Sequence, residues 1–227
     1  MTDPRVLLAI DTATDVCSVA ISVDDHVESE ARSGARSEAR SLPSMVDALL
    51  DRLKLDSGQI YGFVFGAGPG SFTGLRIGIA LVQGMALGCG APVAGISSLR
   101  AQAQAAMDAN PASNTVLVAN NAYMKEIYVG RYRHSAGVAV ESAPDRLIAP
   151  QDVEARDADL IIGDGVSLCP KLANSNLPRV LETMASAEAL LKIAQLDRSI
   201  EWGRAEEARA QYLRADEAIA HKPRAKT

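Results

Sequence analysis

GAGPGSFTGLRIG, Gly66 to Gly78, overlaps an apolar run, GFVFGAG, and opens an apolar segment, LRIGIALVQGMALG. A strand, a glycine-rich turn and a helix in that order form a βα step, so the chain belongs among the α/β proteins. What the glycines do is the next question. A strand that runs into a helix N-terminus is a sound anion site, because free N–H groups and the helix dipole converge there. The details weaken that reading. A Walker loop needs GxxxxGK[ST], and no lysine is present; the dinucleotide fingerprint keeps Gly66 and Gly68 but has Ser71 where its third glycine belongs. The nearest cation, Arg76, lies one turn into the helix. Gly68-Pro69-Gly70 reads as a tight turn, with Ser71 or Thr73 as the helix cap.

The alternative is close packing. Gly74, Gly78, Gly84 and Gly88 all fall in this second helix. An interior glycine costs about 1 kcal/mol relative to alanine, so the four together cost about 4 kcal/mol that something must offset. At about 100° per residue they cover roughly a third of the helix circumference, a flat strip suited to a close neighbour. That neighbour is either the chain's own sheet and first helix or a helix of another protein.

Upstream, VLLAID reads as a central strand, followed by VCSVAISVDD and HVESEARS as an antiparallel meander. In SLPSMVDALLDRL the residues Leu42, Met45, Val46, Leu49, Leu50 and Leu53 mark one apolar stripe of an amphipathic helix. Downstream, PVAGIS is a fifth strand and SLRAQAQAAMDA a third helix. The order β-β-β-α-β-α-β-α predicts a mixed sheet with helices on its faces. DANPASN, Asp108 to Asn114, has linker composition, which divides the chain into residues 1–108 and 109–227. TVLVANNA and EIYVGRYRH then resemble a degenerate copy of the opening β-β unit. ADLIIGDG reads as a strand ending in a turn, and MASAEALLKIAQLD as a helix. Glu141 to Asp159 and the C-terminal stretch have no clear assignment.

The 227 residues are 48% hydrophobic and 22% charged, as in a globular protein with a full core. Aromatics at 4% and a net charge of −5 argue against a single-stranded nucleic-acid platform. Basic residues cluster only in the tail, at Lys222, Arg224 and Lys226. Cys17, Cys89 and Cys169 are odd in number and widely spaced, which points to reduced thiols in the cytoplasm. Ile77 to Leu99 lacks charge and is long enough for a membrane span, but GCGAP interrupts it, so no membrane is expected. His26, His134 and His221 have no metal-site spacing, and no GxSxG elbow is present, so neither a metal site nor catalytic residues are assigned.

AIDTATD places Asp11, Thr12, Thr14 and Asp15 at the end of the first strand. Actin-like and sugar-kinase-like ATPases carry an Asp here with a glycine two residues on, at the hairpin that wraps phosphates; here that residue is Ala13, whose Cβ crowds the approach. A polar hairpin closed by its own side chains explains the segment equally. Residual nucleotide binding by Asp11, Thr12, Thr14, Gly68 and Gly70 remains the alternative, as in an ATP-dependent enzyme using the Gly66–Gly74 loop.

LLAIDTATDVCSVAI, GAGPGSFTGLRIGIALVQGMALG and the late QYLR at Gln211 to Arg214 together resemble the bacterial TsaB (YeaZ) family. The resemblance covers the first half well and the second loosely. It implies two tandem ribonuclease-H-like units of the actin-like ATPase superfamily, and a non-catalytic scaffold that activates a TsaD-type subunit. That subunit transfers a threonylcarbamoyl group to adenosine 37 of tRNA, and a TsaE-type ATPase joins the assembly. Under this resemblance the chain has no cofactor of its own, while ATP and a metal ion belong to partner subunits. tRNA is met through the complex, and a homodimer of the isolated chain stays open. The family pairs through its first two helices, which here places Leu42, Met45, Leu49, Gly74, Gly78, Leu81, Gly84, Met85 and Gly88 at the partner face. Departures are SEARS before the first helix, Ala67 where arginine is frequent, and Asn121-Ala122-Tyr123 where Asp-Ala-Arg is expected.

Overall fold

The computed structural model describes residues 5–34, 41–180 and 185–214. SEARS except its Ser41, and the basic tail with Lys222, Arg224 and Lys226, lie outside the described residues. The first unit runs β1 (Val6–Asp11), β2 (Val16–Val23), β3 (His26–Ser33), α1 (Leu42–Leu53), β4 (Ile60–Gly68), α2 (Phe72–Cys89), β5 (Val93–Ser97) and α3 (Ser98–Ala109). The strands lie in the order β3-β2-β1-β4-β5, with β1 antiparallel to β2 and parallel to β4. All six residues of β1 are buried, as its unbroken apolar run requires of a central strand, while the polar β3 forms the edge.

The second unit repeats this plan. It comprises β6 (Thr115–Asn121), β7 (Ile127–Ser135), β8 (Val138–Ile148), β9 (Leu160–Ile162), α4 (Pro170–Ala173) and β10 (Arg179–Val180). Its order, β8-β7-β6-β9-β10, is the first sheet's order five strands later, with the same parallel and antiparallel pairings. The chain is thus two tandem ribonuclease-H-like units. The unassigned segment after Glu141 is largely β8, an edge strand that accommodates Pro144 and register shifts against β7.

The layers follow from alternation along the strands. Leu8, Ile10, Phe63 and Phe65 join Leu42, Met45, Leu49, Leu75, Ile79 and Val82 in a core beneath α1 and α2. Leu7, Ala9, Ala20, Val64 and Ile96 face the other way, onto Ala101 of α3 and Leu190, Leu191 and Ile193 of α5 (Ala187–Leu196). The opposite side of α3 carries Leu99, Ala103 and Met107 onto Val116, Val118 and Ile162 of the second sheet. The division at residue 108 assigns α5 to the second unit; in the structure it packs against β1, β2 and β4 of the first. One helix is too narrow to cover the inner face of the first sheet, so the chain returns to complete it.

Polar links also join the units. Tyr132 donates its hydroxyl to Asp145 at 2.5 Å, and Ser97 at the end of β5 donates to the other oxygen of the same carboxylate at 2.5 Å. Burial pushes the Tyr132 hydroxyl well above its ordinary pKa and raises that of Asp145. Arg100 of α3 pairs with Asp197 at 2.6 Å and donates to the Ala139 carbonyl of β8 at 2.7 Å.

Candidate functional site

The carboxyl ends of β1 and β6 open on a cleft of about 630 Å3 between the two units. From the first unit Thr12, Thr14, Asp15, Gly70, Ser71, Phe72 and Gly74 line it; from the second come Asn120, Asn121, Tyr123, Tyr128 and Asp164. Open α/β sheets bind ligands in such a position. Of the residues expected to hold a nucleotide, Thr12, Thr14 and Gly70 face this space, whereas Asp11 and Gly68 are not among its lining.

Asp11 has no exposed surface. Its carboxylate accepts the N–H of Ala13 at 3.1 Å and the hydroxyl of Ser98 at 3.4 Å, and thereby closes the turn between β1 and β2. Burial raises its pKa to about 6, against the lowering effect of those two bonds. Gly66 is a glycine for the same reason: a Cβ there would overlap the Asp11 carboxylate. Asp11 is therefore a buried turn residue and not a group aimed at a ligand.

The glycine loop closes onto the same turn. Ser71 donates its N–H to the Ala13 carbonyl at 2.7 Å, and a Cβ at Gly70 would collide with that carbonyl. The Ser71 hydroxyl, the cap anticipated for α2, accepts the N–H of Gly74 at 3.2 Å. The loop amides that a phosphate would need are thus partly taken by the chain itself. Arg76 does not supply the missing charge, since its guanidinium lies 3.8 Å from the centroid of the Phe72 ring. Asn121, in the position of the expected Asp, accepts the N–H of Tyr123 through its side chain at 2.8 Å. The residues present do not fit a phosphate, and no step is assigned to one. Among the described residues no three His, Cys, Asp or Glu side chains are grouped to hold a metal ion.

Sequence reading missed the segment that borders the cleft. Gly203 bridges Val93 of β5, and Gln211 donates its N–H to the Ala67 carbonyl at 2.7 Å. Tyr212 lies against the Phe72 ring, with centroids 5.5 Å apart. Arg214 reaches the second unit, pairing with Glu126 at 2.6 Å and donating to the Ala122 carbonyl at 3.1 Å. QYLR, visible in the sequence only as part of a resemblance, is thus a strap across the mouth of the cleft. Opposite it, Tyr123, Met124 and Lys125 all take left-handed backbone angles, with φ of 58°, 53° and 63°. Such a conformation costs about 1 kcal/mol or more per non-glycine residue. It displays Tyr123 and Met124, which are 74% and 79% exposed.

A second surface lies on the outside of α1 and α2, and there the expected partner face needs redrawing. Leu42, Met45 and Leu49 are fully buried against the first sheet, because an apolar stripe that completes a core cannot also face outward. The glycine strip divides in two. A Cβ on Gly74 would overlap the Thr12 carbonyl, and one on Gly78 would lie 2.5 Å from the Thr12 hydroxyl, so these two let α2 approach the end of β1. Gly84 and Gly88 have nothing within 4 Å of an added Cβ. Between the helices runs a groove of about 430 Å3 lined by Pro43, Val46, Asp47, Leu50, Leu81, Met85, Gly88 and Cys89. Leu81, Met85 and Gly88 of α2 line this groove, as do Pro43, Val46 and Leu50 of α1, of which Val46 and Leu50 are also part of the core at 2% and 8% exposure.

The family model for TsaD, tRNA N6-adenosine threonylcarbamoyltransferase, matches residues 30–213. The "tRNA threonylcarbamoyladenosine biosynthesis protein TsaB" of Escherichia coli (strain K12) is 34% identical over 176 residues, which are 75% of this chain and 76% of that protein. The Haemophilus influenzae protein of the same name is 40% identical over 122 residues, covering 54% and 51% of the two chains. Among solved structures, YeaZ from Pseudomonas aeruginosa superposes with a TM-score of 0.85 at 31% identity, covering 92% of this chain and 100% of that one. With two-thirds or more of both chains aligned at this identity, and the same fold throughout, the chain belongs to the TsaB (YeaZ) family.

Proposed function

We propose that the chain is a non-catalytic scaffold and activator subunit in tRNA threonylcarbamoyladenosine biosynthesis, docking on a TsaD-type catalytic subunit through the outer face of α1 and α2. The observation that carries this is the open half of the glycine strip. Gly84 and Gly88 give up about 1 kcal/mol of helix stability each, and among the described residues no atom uses the space they leave. Beside them the groove between α1 and α2 offers apolar side chains from both helices. A partner helix laid along this face would fill both features. The names of the relatives supply the pathway, and the resemblance supplies the partner.

On this reading, catalysis, ATP and the metal ion reside on partner subunits, among them a TsaE-type ATPase. tRNA is met through the complex, in the cytoplasm. The same face would pair two copies of the chain when the partner is absent.

The test is size-exclusion chromatography with light scattering, using this chain and the TsaD homologue of the same organism. Co-elution is expected for the native chain and for Leu87→Ala, and its loss for Gly84→Leu and Gly88→Leu. Both leucine variants should melt no lower than the native chain, because their side chains enter open space. Co-elution that survives both substitutions would sink the assignment of this face. Threonylcarbamoyl transfer by the chain alone would sink the non-catalytic role.

A further inference from the structure

The cleft between the units carries a chemistry opposite to the one its position suggests. The chain has only three Phe, five Tyr and one Trp. Yet Phe72, Tyr123, Tyr128 and Tyr212 all line this one space of about 630 Å3. Phe72, Tyr123 and Tyr212 are 46%, 74% and 39% exposed; Arg76 covers one face of Phe72 and donates to the Tyr212 hydroxyl at 3.4 Å, which leaves Tyr123 the most open of the three. One of them already holds a cation, the Arg76 guanidinium over Phe72. Ring faces attract cations through their quadrupole, most strongly where water is partly excluded.

The charged groups of the lining point the same way. Asp15, from the turn after β1, is in no ion pair among the described residues. Asp164, from the loop after β9, accepts the N–H of Asn121 at 2.8 Å through one oxygen, and its other oxygen has no hydrogen bond among the described residues. Among the described residues the one cation in the lining, Arg214, is taken by Glu126 and the Ala122 carbonyl. A phosphate brought here would face two carboxylates, with the Ser71 amide already bonded to Ala13. An uncharged nucleoside would use the rings and leave both carboxylates unpaired.

We propose that this cleft binds a small linear organic cation with primary ammonium groups, of the polyamine class, held between the aromatic rings and the carboxylates of Asp15 and Asp164. One carboxylate belongs to each unit, so such a ligand would tie the two together. The proposal is independent of whether α1 and α2 dock a partner.

Isothermal titration calorimetry with spermidine, in buffer of physiological ionic strength, tests it. Saturable binding to a single site is expected, weakened at least tenfold in the Asp15→Asn/Asp164→Asn double variant and several-fold in Tyr123→Ala. Asparagine at position 164 keeps an oxygen for the Asn121 N–H, and Tyr123 is mostly exposed, so unchanged melting temperatures should show that these variants are folded. Asp25→Asn/Asp51→Asn removes the same charge from surfaces outside the cleft and should leave binding unchanged. Absence of saturable binding would overturn the proposal. So would equal weakening in both double variants, which would reduce the effect to net charge, or tighter binding of adenosine or Mg-ATP than of spermidine.

Discussion

Replacing Asp11 by asparagine tests whether this buried carboxylate serves the fold alone. Its carboxyl is fully buried and its pKa is raised from 3.8 to about 6, chiefly by burial. A carboxyl that holds its proton more tightly in the fold than in the unfolded chain costs stability once it ionises. Below pH 3.8 both states are protonated and nothing is lost; as pH rises through about 6 the cost reaches its full value. A shift of about two units corresponds to about 3 kcal/mol. Asparagine keeps Oδ1 to accept the Ala13 N–H, and its Nδ2 can donate to Ser98, whose hydroxyl then loses its acceptor at a cost of about 1 kcal/mol. Asp11→Asn should therefore be more stable than the native chain by about 2 kcal/mol at pH 8 and less stable by about 1 kcal/mol at pH 4. For a chain of this size the gain at pH 8 is a rise of about 4–8 °C in the melting midpoint. Urea unfolding followed by Trp202 fluorescence, at intervals from pH 4 to pH 8, reads both the size and the crossing point. A variant destabilised equally at every pH would refute the argument, because the carboxylate's charge would then be needed by its neighbours.

The glycines of α2 should separate by position. Gly78→Ala forces its Cβ against Thr12 and should cost about 1–3 kcal/mol, whereas Gly84→Ala meets open space and should add about 1 kcal/mol; thermal melting of the isolated chain reads both, and equal effects would contradict the split. Gly66→Ala places a methyl in the Asp11 carboxylate and should cost more than about 3 kcal/mol, seen as loss of soluble folded chain; normal yield and melting would mean that β4 shifts easily. Asp197 is pushed up by burial, but hydrogen bonds from Ser199 and from the Arg100 guanidinium outweigh this and hold its pKa at about 2. A depressed carboxyl stabilises above its unfolded value and loses that contribution as pH falls through about 2, so Asp197→Asn should melt below the native chain at pH 7. The gap should narrow as the pH drops below 4, and a constant gap would assign it to packing instead of charge.

Most of the first unit was legible because its signals are local. The buried run of β1, the stripe of α1 and the Ser71 cap each follow from a few adjacent residues. The errors arose where one pattern serves two purposes. Leu42, Met45 and Leu49 form the same stripe whether a helix faces its own sheet or a partner, and the sheet has first claim on it. Gly74 and Gly84 share a strip on a helical wheel, yet only the first stands opposite Thr12, a fact of tertiary height along the axis. The strap from Gly203 to Arg214 has no periodicity, and its bonds to Ala67, Phe72 and Glu126 are all distant in sequence. β8 was obscured by Pro144, which an edge strand tolerates. For the cleft, the threonines and glycines were visible, but the concentration of scarce rings around it required both units to be in place.

The return of α5 to the first sheet also has a consequence for synthesis. A chain leaving the ribosome presents β1, β2, β4 and β5 early, but Leu190, Leu191 and Ile193, which cover the inner face of that sheet, emerge only after both sheets have been made. Until then Leu7, Ala9, Val64 and Ile96 lack part of their cover. A product that stops short of Ala187 would carry that apolar face exposed, a surface that chaperones and proteases recognise. α5 is the last α-helix among the described residues, so only chains translated through it can close the sheet that was made first.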